Sequence, residues 1–167
     1  DLPVDVRFMI PSCVPASPLD EGGADLDYKD VDSFFDHPRV LGLAEMMNFP
    51  GIIGADSYTV AKIVASQAHH KKIDGHAPGL KGKDLNAYIS AGVYSDHECA
   101  DLEDALLKLR LGQFIMIREG TAAKNLEALL PLLTAEKGFD RCMFCTDDKH
   151  PNDLLEKGHM DYICRKA

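Results

Sequence analysis

Residues 73–98, IDGHAPGLKGKDLNAYISAGVYSDHE, hold a short apolar run that ends at His76, a helix-like segment over Lys83 to Ala91 stopped by Gly92, and a second short run that ends at His97. Strand, helix and strand in succession read as parallel strands joined by a right-handed crossover. The same rhythm extends in both directions. The candidate strands are then six: VRFMIP (6–11), RVLGLAE (39–45), KIDGHA (72–77), GVYSDHE (92–98), FIMIRE (114–119) and RCMFCTD (141–147). Between them, DSYTVAKIVASQAHH (56–70) places Val60, Ile63, Val64 and Gln67 at helical spacing, with Asp56 or Ser57 as N-cap. DLEDALLKLRLG (101–112) starts at an Asp cap, shows Leu102, Ala105, Leu106 and Leu109 on one face and stops at Gly112, and Thr121 is expected to cap AAKNLEALLPLL. Segments 12–38 and 146–160, rich in Pro, Gly and Asp, are expected to be long loops after strands, where α/β folds keep their chemistry.

Composition narrows the function classes. With 167 residues and 46% hydrophobic content, one globular domain over residues 1–167 is expected. The 18 Lys+Arg against 27 Asp+Glu give a net charge of -9 without a basic cluster, which argues against nucleic acid as a partner. No apolar run approaches the roughly 18 to 20 residues of a membrane span and no signal segment opens the chain, so the default location is cytoplasmic. Five cysteines scattered without a framework suit a reducing compartment.

In a parallel α/β barrel, side chains at the C-terminal ends of the strands share one mouth, and neighbouring strands lie about 4.8 Å apart. Those ends are Glu45, His76, His97 and Asp147 with Asp148. Two imidazoles and two or more carboxylates are the donor set for a hard or borderline divalent ion. Other readings stand beside it: His76 alone could bond backbone in a turn, and Asp148 could cap the turn before KHP. Arg118 and Glu119 close the fifth strand and could reach the mouth or form a structural pair. Cys142 and Cys145 spell C-x-x-C, but on a strand an offset of three sends the thiols to opposite faces, so they read as packing residues. His69 and His70 read as a solvated helix end, and the glycines of HAPGLKGK lack the spacing of a phosphate loop.

The segments HPRVLGLAEMMNFPG, IDGHAPGLKGKDLNAYISAGVYSDHE, IMIREGTAAKNLEALLPLL and CTDDKHPNDLLEKGHMDYICRKA together resemble the bacterial and archaeal adenine deaminases of the amidohydrolase superfamily. The resemblance implies a (β/α)8 TIM barrel of the metal-dependent hydrolase type. In this chain the barrel would be incomplete, with about six of eight strands, the third to the eighth. It implies two divalent metal ions, manganese or iron with zinc as an alternative. Glu45 would bridge them, His76 and His97 would bind one, and Asp147 would bind the other. It further implies adenine as substrate, a homo-oligomer in the full-length protein, and a place in purine salvage. The family's His-x-His ligand pair is nowhere in this sequence, so the isolated chain is expected to bind metal weakly and to be inactive. Without the first two strands, VRFMIP and RCMFCTD would be free edges, so it is also expected to self-associate.

The implied reaction is hydrolysis of adenine to hypoxanthine and ammonia, with Asp147 moving the proton of the attacking water and Glu98 or Asp148 as a second acid. The alternatives are an amidohydrolase acting on another cyclic amide or amidine, and a non-catalytic module that needs a partner chain.

Overall fold

The structure, a computed structural model, describes residues 3–134 and 139–167. These fall into two compact units, one running to Tyr94 and one from Ser95 onward. Among the described residues no helix is long and apolar enough to cross a membrane.

The first unit is built on strands β1 (Phe8–Pro11), β2 (Val40–Met46) and β3 (Lys72–Gly75), parallel and in that order. Ile10 pairs with Leu43, and Leu43 with Ile73, so three apolar side chains stack across the sheet. Helices α1 (Tyr28–Phe34), α2 (Phe49–Ile53), α3 (Ser57–Ala68) and α4 (Gly82–Ser90) complete the unit. Its core gathers Val31 and Phe35 with Val40, Met46, Ile63 and Val93. Two glycines have a steric reason. A Cβ on Gly42 in the central strand would stand 2.2 Å from the Lys72 carbonyl oxygen. Gly92, just past the end of α4, holds φ of 97°, a conformation that closes a helix and that side chains resist.

The second unit repeats the plan with β4 (Ser95–Asp96), β5 (Phe114–Arg118) and β6 (Cys142–Cys145), again parallel and in sequence order. Around them lie α5 (Leu102–Arg110), α6 (Leu126–Leu129), α7 (Pro151–Glu156) and α8 (Met160–Lys166). A separate core forms from Cys99, Ala105, Ile115, Ile117, Leu129 and Ile163.

All six expected strands exist, but the incomplete (β/α)8 TIM barrel does not: the strands form two three-stranded parallel sheets rather than one six-stranded run. The break falls between β3 and β4. There, after Gly92, Tyr94 N–H bonds to Ile73 O of β3 at 3.1 Å, and β4 itself is only two residues long. A strand of two residues offers only a short ladder, and Ser95 and Asp96 pair with Phe114 and Ile115 of β5.

Local expectations are corrected in three places. The buried face of α3 is Thr59, Lys62, Ile63, Ala65 and Ser66, whereas Val64 is exposed; Lys62 donates to the Ser12 carbonyl at 2.9 Å and turns a polar stripe inward. Thr121 caps no helix: its hydroxyl donates to Asp153 at 2.6 Å, and the next helix starts only at Leu126. The segments expected as loops each contain a helix, α1 started by an Asp27–Asp30 capping box and α7 with Pro in its first turn.

Candidate functional site

In the first unit, Glu45 lies near the end of β2 and His76 directly after β3. Their side chains meet, His76 Nδ1 to Glu45 Oε2 at 3.2 Å. Backbone contacts set this meeting. The Tyr88 hydroxyl, fully buried on α4, accepts from the His76 N–H at 2.9 Å and donates to the Met46 carbonyl at 2.7 Å, tying the ends of β2 and β3 together. Ser12, just after β1, donates its hydroxyl to the Glu45 carbonyl at 2.8 Å. Beside this lies a cavity of 630 Å³ lined by Ser12, Cys13, Asn48, Phe49, Tyr58 and Lys62, among others. Burial lowers the pKa of the Lys62 ammonium, and it pushes Tyr58 up to about 12, aided by its bond to Asp25.

In the second unit, His97 and Glu98 follow β4, Arg118 ends β5, and Asp147 follows β6. Arg118 grips both acids. Nη2 donates to Glu98 Oε2 at 2.9 Å, Nη1 reaches the other Glu98 oxygen, and Nη1 also donates to Asp147 Oδ2 at 2.5 Å. Burial works against the guanidinium charge, but the bonds and charges of Glu98 and Asp147 outweigh it, and the Arg118 pKa is raised. His97 Nε2 stands 3.5 Å from Glu98 Oε1. One ligand atom from each of His97, Glu98 and Asp147 lies within 4.8 Å of the others. Asp147 holds φ of 51°, a conformation that costs a non-glycine residue about 1 kcal/mol and that concentrates at functional sites.

The peptide that carries His97 is pinned from several sides. Asn125 Nδ2 donates to the His97 carbonyl at 3.1 Å and to that of Cys99 at 3.0 Å. Asp96 accepts the Glu98 N–H at 2.6 Å. Asp96 in turn meets the fully buried Lys108 at 3.2 Å, and Lys108 also meets Asp104 at 3.1 Å. Elsewhere in the second unit, hydrogen bonds from Lys157 and Thr121 hold the Asp153 carboxyl down at about 2.

Glu45 and His76 are thus adjacent in the first unit, and His97, Glu98 and Asp147 in the second. Asp148 is exposed, and its carbonyl accepts from the Thr121 N–H at 3.0 Å. Arg118 and Glu119 take different partners: Glu119 binds Lys166 at 2.8 Å. Sequence reasoning missed Tyr88, Asn125 and the Asp96–Lys108–Asp104 group. Only the last left a trace, the four-residue spacing of Asp104 and Lys108 on a helix.

No protein-family model matches the chain. Curated relatives do. The chain is 54% identical over 165 residues to an adenine deaminase from Desulfatibacillum aliphaticivorans, 52% over 167 to one from Kosmotoga olearia and 50% over 167 to one from Dehalococcoides mccartyi. In each case the match covers at least 99% of this chain and 29% of the relative. Over nearly its whole length the chain is similar to adenine deaminases, and it spans about 29% of the length of the relatives it matches.

Proposed function

We propose that the protein to which this chain belongs deaminates adenine hydrolytically, giving hypoxanthine and ammonia, and that Glu45, His76, His97 and Asp147 are ligands to a pair of divalent ions, manganese or iron. The observation that carries this reading is the similarity over 99% of the chain to proteins named adenine deaminase. The donor chemistry fits: imidazole and carboxylate at 3.2 Å in one unit, and one imidazole with two carboxylates within 4.8 Å in the other, suit hard or borderline divalent ions. When bound, such an ion supplies the Lewis acidity that brings a water into nucleophilic range near neutral pH.

The chain's own residues do the rest. Asp147 accepts the proton that the attacking water gives up and returns it to the departing amine, so that water and adenine leave as hypoxanthine and ammonia. Its left-handed backbone and the Arg118 Nη1 donor fix where its oxygens point. Glu98, held by both Arg118 terminal nitrogens, is the second acid–base group. Tyr88 and Ser12 fix the backbone from which Glu45 and His76 reach out.

The test is ammonia release from adenine by the whole protein supplied with Mn2+, with Asp147→Asn and His97→Ala alongside. Turnover in the parent and a loss of about 100-fold or more in both variants is expected. A parent that binds Mn2+ and leaves adenine intact contradicts the substrate; variants as active as the parent contradict the residues.

A further inference from the structure

We propose that Lys108 is a positioning residue: by holding the Asp96 carboxylate from inside the second unit, it fixes the backbone that aims His97 and Glu98. The proposal rests on the reading of His97, Glu98 and Asp147 as the chemical end of that unit.

The need for such a device comes from the shortness of β4. Its ladder with β5 consists of Ser95 against Phe114 and Asp96 against Ile115, and nothing in that ladder constrains the residues that follow. Asp96 takes over at this point with a divided carboxylate. Oδ1 accepts the Glu98 N–H at 2.6 Å, and Oδ2 meets Lys108 Nζ at 3.2 Å. Turning the carboxylate would break both contacts at once. Neither side chain has any exposed surface, so water cannot replace the lost partner. Asp104, one turn earlier on α5, accepts from Nζ at 3.1 Å and keeps the ammonium pointed at the strand.

Space filling alone does not explain a charge here. A buried ion pair is often replaceable by apolar residues at no loss of stability, and the fully buried Ile115 and Ala105 of the same unit are apolar residues of that kind. What an apolar side chain cannot do is fix the rotation of Asp96. Lys108 therefore reaches Glu98, and with it the His97 peptide, through the Asp96 carboxylate and the Glu98 N–H, besides its own contact with Cys99, and touches no reacting atom itself.

The experiment is amide hydrogen exchange read residue by residue in the whole protein, with Mn2+ binding measured by calorimetry on the same samples. In Lys108→Met, the Glu98 amide should lose protection about tenfold more than the Ile117 amide of β5, and Mn2+ affinity should fall about 10- to 100-fold, the range found when partners behind a ligand are removed. Asp104→Asn is the control, because its amide oxygen can still accept from Nζ and keep it aimed at Asp96 while only the charge is removed: Glu98 and Ile117 should change by the same factor, and affinity by less than about threefold. If Lys108→Met does not fold, Lys108→Gln, which keeps a donor there, should show the same selective loss at Glu98 to a smaller extent. Equal loss of protection at Glu98 and Ile117 in the Lys108 variants would mean ordinary core support and would overturn the proposal. A parent protein that binds no Mn2+ removes the metal reading, while the exchange ratio still decides the positioning role.

Discussion

In the first unit the backbone behind Glu45 and His76 is held by neutral groups, the Tyr88 hydroxyl between His76 N–H and the Met46 carbonyl and the Ser12 hydroxyl on the Glu45 carbonyl. In the second, the backbone behind His97 and Glu98 is held by ions, with Lys108 between Asp96 and Asp104, and the acids themselves are gripped by Arg118. A hydroxyl both accepts and donates, so one Tyr can tie two strand ends whose free groups are complementary. A carboxylate only accepts. Once Asp96 is buried to take a peptide N–H, it needs a cation, and the cation needs a further acid to aim it. Neutral clamps cost little to build and little to break; charged ones are costly in both senses.

The comparison breaks most visibly at Lys108. Lys108→Met leaves Asp96 and Asp104 buried without their counter-charge and should cost about 3–5 kcal/mol in denaturant unfolding. Tyr88→Phe removes a neutral clamp of similar burial and should cost about 1–3 kcal/mol, the penalty for an unmet buried donor and acceptor. A Tyr88→Phe loss as large as that of Lys108→Met would erase the distinction drawn between the units.

Smaller effects appear at the extremes of pH. Burial, with Asp74 beside it, pushes the Tyr94 hydroxyl up to about 12, and Tyr58 stands at about 12 as well. A raised pKa means that the folded state holds the proton more tightly. The contribution is therefore full below pH of about 10, the ordinary tyrosine value, and is lost as pH rises through about 12. Tyrosinate absorbance should rise for both residues later than for a free tyrosine, and Tyr94→Phe should flatten the alkaline loss of stability. In the second unit Lys166, held up at about 12 by Glu119 and Glu127, gives the same sign. The smallest effect is expected at Asp153, where the carboxyl sits at about 2: its contribution is present above the ordinary value of about 3.9 and fades as pH falls through about 2. Asp153→Asn should remove that part of the acid limb in a stability profile between those two values.

Helix starts were the most legible part of the fold. Asp56 and Asp101 accept from the N–H groups three residues on, as local sequence indicates, because a cap is made within one turn. The face of α3 was misjudged for the opposite reason. Val64 looks apolar in a helical window, yet the stripe that points inward carries Lys62, which finds the Ser12 carbonyl fifty positions away in the chain. Thr121 likewise looks like a cap, but its hydroxyl is taken by Asp153 in another element.

The sequence by itself determined the order of strands and helices and the placing of Glu45, His76, His97 and Asp147 at or just beyond strand ends, since alternation, helical spacing and glycine stops act over a few residues. It also carried the likeness to adenine deaminases, which is a property of the residue string. Tertiary structure alone decided that the strands divide into two sheets, that Arg118 rather than a neighbour on its own strand joins Glu98 and Asp147, and that Lys108 is wholly inside. Each of these depends on partners distant in sequence. How far a ladder extends depends on how many residues the next strand can pair, and a buried charge is tolerated only where the fold brings it a counter-charge, which no local window contains.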